Sequence, residues 1–232
     1  MNLPDPLHPW DLSFQEAKRV QTNLAERVRL HFPKKPIQTI AGADVSFDRF
    51  SPVLHAGIVI LSFPDLKLLE EAWVTRRATF PYVPGYLSFR EAPAVIDAFR
   101  TLKTPPDVMI LDGQGIAHPR GLGLASHVGL FLDLPTIGCA KSLLVGEHDP
   151  VPTEKGAMVP LIFNGKEVGK VVRTRRHVKP VFVSPGHLMD MDTAAEVVLA
   201  CCPRYRLPEP TRYAHRLVNR IRREHKEGHA EV

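Results

Sequence analysis

Apolar residues at Phe14, Ala17, Val20, Leu24 and Val28 recur at intervals of three and four, which predicts an amphipathic helix over 14–32. The pattern then changes to strand-like runs at 37–47, 54–63 and 66–75. The turns between them, DRFSP and FPDL, carry the Asp, Ser and Pro that break pairing. Strands linked this closely pair antiparallel, as a meander. After Pro84 a helical period returns over 86–102, with Leu87, Ala94, Val95, Ala98 and Leu102 on one side. A short apolar strand at 107–112 ends on Asp112, a helix is expected over 122–132, and a buried strand lies at 136–140. Shorter strands follow in MVPLIF, VGKVVR and PVFVS, then two helices near 192–202 and 209–226. Thr193 with Glu196 fits a capping box for the first of these, and Pro210 suits the first turn of the second. The expected fold is α/β: three leading antiparallel strands, then alternating helices and strands, in a mixed sheet with flanking helices. One domain over 1–232 is expected, without internal repeat, its polar tail at 223–232 frayed.

The chain has 232 residues, enough for one good core and short for two full domains. Its 44% apolar and 24% charged content are those of an ordinary globular protein. The N-terminal stretch MNLPDPLHPWDL is broken by prolines and has no basic leader, so it does not read as a signal peptide. No apolar run approaches a membrane span. Three cysteines without a CxxC suggest no disulfide framework, and a reducing, cytoplasmic setting is expected.

Three carboxylates stand out against this background. Asp44 lies in the apolar run IAGADVSF, Glu91 closes PYVPGYLSFRE, and Asp112 ends the strand DVMILD before Gly113 and Gly115. Buried acids are costly unless they are paired or hold a cation. Three of them at the ends of separate elements can cage a hard divalent ion such as Mg²⁺. The bland alternatives are an aspartate that turns the chain at 44 and a solvated helix acid at 91. Asp112 sits at a strand's carboxyl edge, where sites collect in such sheets. His118 and Lys141 also fall at strand edges and can bind phosphate or steer water; a capping histidine and a surface lysine are the plain readings. His215 borders the apolar face formed by Ala214, Leu217, Val218 and Ile221.

The net charge of +5 implies a polyanionic partner only where the basic residues cluster. They do so in RTRRHVK (173–179) and in NRIRREHK on the last helix, although such runs are usually solvated faces. The stretch GLGLAS (121–126) nearly matches a dinucleotide fingerprint, but it follows its strand too late and lacks the third glycine and the later acid. The eleven histidines form neither HExxH nor a Cys/His zinc pattern.

The blocks ADVSF, PYVPGYLSFRE, LDGQGIAHPRGLGLASHVG, GCAKSLL, VSPGH and PTRYAH, spread from about 40 to 216, resemble the endonuclease V family, repair nucleases for deaminated adenine. The resemblance implies an RNase H-like sheet and a metal triad of Asp44, Glu91 and Asp112, with His215 as an outer or occasional ligand. Lys141 matches the family's lysine near the reactive phosphate. Pro81, Tyr82, Val83 and Pro84 match the wedge that props the duplex apart, with Val83 in place of a frequent isoleucine. Gly85, Leu87, Gly113, Gly123 and Ala140 are the implied pocket for a flipped hypoxanthine, with His118 beside it. The implied activity is hydrolysis of the second phosphodiester bond 3′ to a deoxyinosine, leaving 5′-phosphomonoesters, with Mg²⁺ as cofactor and Mn²⁺ as a substitute. The partner is inosine-containing DNA or, alternatively, RNA, and the enzyme is expected to be a monomer. A non-catalytic inosine-binding protein and a nicotinamide oxidoreductase are the competing readings. The intact acid triad argues against the former.

Overall fold

The computed structural model of the chain describes residues 4–33, 35–48 and 51–230, the side chains of 228–230 apart. Five helices and eight strands follow in the order α1 (Phe14–Ala25), β1 (Thr39–Phe47), β2 (Val53–Ser62), β3 (Leu68–Arg77), α2 (Leu87–Arg100), β4 (Val108–Leu111) and α3 (Leu124–Leu132). Then come β5 (Thr136–Ala140), β6 (Met158–Phe163), β7 (Lys166–Val172), β8 (Val181–Pro185), α4 (Met191–Ala200) and α5 (Glu209–Ala230). The strands form one mixed sheet in the order β3-β2-β1-β4-β5-β8-β7-β6. Two antiparallel meanders, β1–β3 and β6–β8, flank the centre, and β4 pairs parallel with both β1 and β5. This is the expected mixed α/β sheet with flanking helices.

Alternation along the central strands sends side chains to two cores. In β4, Met109 and Leu111 pack toward α2 and α3, while Val108 and Ile110 pack toward α4 and α5. Being covered on both faces, β4 is apolar throughout. The whole of α3 is buried, which explains its nearly all-apolar sequence.

Several boundaries differ from the sequence reading. The first helix stops at Ala25, not 32, because Glu26 is its C-cap and two tighter turns follow, Arg27 N–H to Leu24 O and Val28 N–H to Ala25 O. These turns keep Val28 against the core, so its apolar spacing outlives the helix. Ser13 and Glu16 form the capping box at its start. Asp190, rather than Thr193, caps α4 by accepting from the Thr193 N–H at 2.8 Å. In the tail from 223, α5 runs on to Ala230, and 231–232 lie outside the described residues, as do 49 and 50 of the turn DRFSP. Among the described residues no helix is long and apolar enough to cross a membrane. The three cysteines are free and buried, their thiols pushed up chiefly by that burial.

Candidate functional site

The parallel register of β1 and β4 explains why two acids meet. Ala43 pairs with Leu111, so the next residues, Asp44 and Asp112, emerge side by side at the carboxyl end of the sheet. Glu91 reaches them from the second turn of α2 and is buried. Burial raises the Glu91 carboxyl to about 8, and the neighbouring Asp44 and Asp112 charges add to the shift, while Arg90 opposes it. Asp44 is raised for the same reasons, burial first and then Asp112, with His215 pulling the other way. Among the described residues the Glu91 carboxylate has no hydrogen-bond partner, and no group of three or more His, Cys, Asp and Glu is already drawn into a metal-ligating cluster. Three hard-oxygen donors that repel one another, one of them buried and unpaired, nevertheless fit a divalent cation on chemical grounds.

Lys141, just past β5, forms an ion pair with Asp112. Burial pulls its ammonium down, but the Asp112 and Asp44 carboxylates more than reverse this and hold it charged. The helix α5 supplies His215, whose Nδ1–H donates to Asp44 Oδ2 at 2.7 Å. Asn219 donates to His215 Nε2 at 3.0 Å and itself accepts from the Ser46 hydroxyl at 3.1 Å, which fixes the ring's tautomer. The helix can come this close because residue 42 is glycine: a Cβ there would lie 2.0 Å from the backbone carbon of Pro210.

Beside Asp112 and Lys141 opens a cavity of about 360 Å³. Tyr82, Val83, Pro84, Gly85, Leu87, Gly113, His118, Gly123 and Ala140 all line it, whereas Pro81 does not. Tyr82 is 62% exposed at its rim. The turn that carries Tyr82 is braced through one carbonyl, Gly85 O, which accepts from Gln21 (3.0 Å), His118 (3.1 Å) and Arg120 (2.5 Å). Gly85 sits at φ +77°, a left-handed conformation that side chains disfavour. His118 is lowered to about 4 by burial and by Arg120, so it is neutral here and acts as a donor.

Among the cavity residues that the sequence reading missed, two polar ones stand out. Gln114 lines it with Oε1 buried and lacking a partner among the described residues. Such an orphan acceptor is the kind of signal only coordinates give. Ser88 also lines it and is backed by two buried histidines. His8 Nδ1–H donates to Pro9 O (2.6 Å), leaving Nε2 to accept from His127 Nε2–H (2.8 Å) and His127 Nδ1 to accept from the Ser88 hydroxyl (2.9 Å). Burial lowers both rings, which keeps them neutral and fixes these proton directions.

Two stretches singled out in the sequence have a definite structural setting. In the GLGLAS stretch the N–H groups of Gly121, Gly123 and Ala125 are spent on His118 O, Gly115 O and Gln114 O. In the 173–179 cluster, Arg173 is committed to the carbonyls of Val151, Pro152 and Val178, and of its Arg and Lys side chains only Arg175, Arg176 and Lys179 are exposed.

Comparison with known proteins adds to this geometry. A family model described as Endonuclease V matches residues 22–216. The curated endonuclease V of Gloeobacter violaceus is 50% identical over 229 residues, covering 96% of this chain and 93% of its own. A crystal structure of endonuclease V from Streptomyces avermitilis superposes with a TM-score of 0.89 at 42% identity, covering 94% of this chain and 96% of that one. The endonuclease V of Ciona intestinalis, solved with a 23mer DNA containing an inosine followed by a ribo-adenosine, superposes at 0.83 with 27% identity, covering 92% and 99%.

Proposed function

The chain belongs to the endonuclease V family, and from that premise we propose that it is a metal-dependent repair endonuclease that recognises deoxyinosine and hydrolyses the second phosphodiester bond on its 3′ side. The observation that carries this reading is the junction of an acid centre with a base-sized cavity, Asp112 and Lys141 lining the wall between them.

In this reading Asp44, Glu91 and Asp112 hold the cation. The chemistry a divalent ion supplies when bound is neutralisation of the phosphate's charge and a more acidic water. Lys141, paired with Asp112, is placed to donate from its ammonium to the phosphate oxygens, and Asp112 would be one of the residues holding the ion. His215, fixed by Asn219, orients the Asp44 carboxylate. Tyr82 fills the gap left in the stack as the lesion base swings out, a step that is easier at a poorly paired inosine. Inside the cavity Gln114 offers an acceptor, and hypoxanthine carries a proton on N1 that adenine lacks. Cutting leaves a 5′-phosphate on the downstream fragment.

A ribonucleotide after the inosine in the Ciona intestinalis complex favours a second reading, an inosine-specific ribonuclease. Both are tested with paired DNA and RNA oligonucleotides carrying one inosine, incubated with Mg²⁺, with Mn²⁺ and with chelator, and the products mapped to the nucleotide. Cutting that ignores the inosine, or that continues in chelator, would refute the proposal.

A further inference from the structure

A second cavity, of about 230 Å³, opens on the far side of Asp112 and Lys141. Its other walls come from the start of α5, Thr211, Arg212, His215 and Arg216, with Cys139 and Leu207. Arg212 and Arg216 lead on from it into a third hollow beside Tyr205 and Tyr213. The acid centre therefore stands between two hollows, one mostly apolar and base-sized, the other edged with guanidinium groups.

The two arginines are set up in a particular way. Arg216 lies over the Tyr213 ring, 4.2 Å from its centroid, and Arg212 over Tyr205 at 3.3 Å. Stacking holds each guanidinium plane flat and leaves its N–H edge to donate, the geometry that suits phosphate oxygens. Arg212 is partly committed to Glu209, at 3.4 Å. Arg216 is exposed and has no carboxylate partner among the described residues, whereas farther along the helix Arg220 pairs with Glu71, and Arg222 and Lys226 with Asp48. Arg223, seven residues farther on, also lacks a carboxylate among the described residues and donates to Asn219 O, so Arg216 is the unspent cation of this face that lies nearest the acids.

The geometry points to the second cavity as a phosphate subsite for the nucleic-acid strand beyond the cut, with Arg216 as its main cation and Arg212 as its support. It rests on the nuclease reading above. A strand that places its base in the first cavity and its scissile phosphate at the acids has to leave over the second. There the next backbone phosphate meets two preorganised guanidinium groups. The contact carries no base information, because phosphate contacts position a strand rather than read it.

The test uses the intact chain, with Arg216→Ala and Arg216→Lys, in chelator so that cutting does not compete. Binding is measured to single-stranded deoxyinosine oligonucleotides with identical 5′ halves, ending either two nucleotides 3′ of the lesion, just past the scissile phosphate, or six. The parent should bind the longer strand more tightly. Arg216→Ala should remove most of that gain, roughly tenfold, about one charge-assisted hydrogen bond. It should also make the slope of log affinity against log salt shallower by about 0.7 on the longer strand and leave the shorter one unchanged. Arg216→Lys should recover part of the loss. Equal weakening on both lengths, or none on either, would overturn the subsite; the latter would return Arg216 to a solvated face. Adenine controls separate the two failures: equal parent affinity for inosine and adenine strands would sink the inosine reading, while the length-dependent loss would still report the subsite.

Discussion

Glu91→Gln is the most exposing perturbation of the acid centre, because it should change stability and activity in opposite directions. The Glu91 carboxyl is raised from its ordinary 4.5 to about 8, by burial first and then by Asp44 and Asp112. Between those pH values the unfolded chain is ionised at this residue and the folded one protonated, so folded stability falls as pH rises through the window. At about 1.4 kcal/mol per pH unit the whole interval is worth roughly 5 kcal/mol. The buried histidines act in the opposite sense: His8, His118 and His127 are lowered by burial, so their share of stability grows with pH, but only up to their ordinary 6.5. Above pH 6.5 the carboxylates therefore act unopposed, and the metal-free protein should lose roughly 2 kcal/mol by pH 8. Urea unfolding in chelator, followed by the fluorescence of Trp10 and Trp73 between pH 6.5 and 8, below the range where the three buried thiols add a decline of their own, measures this directly. Mg²⁺ should restore the loss in the parent. Glu91→Gln should flatten the decline, gain nothing from Mg²⁺ and fail to cut. If the variant keeps the parent's slope, or still cuts at the parent's rate, Glu91 is not part of a cation site.

Asp112→Ala should lower cutting in Mg²⁺ by at least about 10²-fold while inosine binding persists, since the acid faces the reacting phosphate rather than the base; a wild-type rate would refute the assignment. Tyr82→Ala should weaken binding to inosine duplexes more than to single strands, because unstacking a base step costs roughly a few kcal/mol only where there is a stack. A large drop in melting temperature with equal loss on both substrates would make Tyr82 structural. Gly42→Ala should destabilise the fold by about 1–3 kcal/mol, the usual range for overpacking, and should reduce cutting in addition, because α5 must back away from β1 and take His215 off Asp44. Unchanged melting would show that the helix has room there.

What could be read from the sequence was what repeats or what is chemically dense. Strand periodicity located all eight strands within a few residues, and Asp44, Glu91 and Asp112 stood out as acids in apolar company. The helix at 14–32 was overdrawn because tight turns after Ala25 preserve its apolar spacing without its hydrogen bonds. Arg173 resembled its neighbours in a charged run, yet three carbonyls claim it, and nothing in a local pattern announces a partner twenty residues away. The same holds for Ser46 against Asn219 and for Ser88 against His127, pairs made by packing between elements. The pocket candidates came from the family resemblance, since glycine and alanine advertise nothing in themselves.

The hydrogen-bonded file from Pro9 through His8 and His127 to Ser88 has a bearing on how the molecule assembles. His8 and His127 are 119 positions apart in the chain, and Ser88 lies between them in sequence. Joining them closes a very long loop, a step that gives no return until α2 and α3 have both formed and met. The segment ahead of α1 can therefore seal the back of the base cavity only where α2 and α3 already face each other. Were that segment to let go, Asp44, Glu91 and Asp112 would keep their places on sheet and helix, with the wall behind Ser88 open.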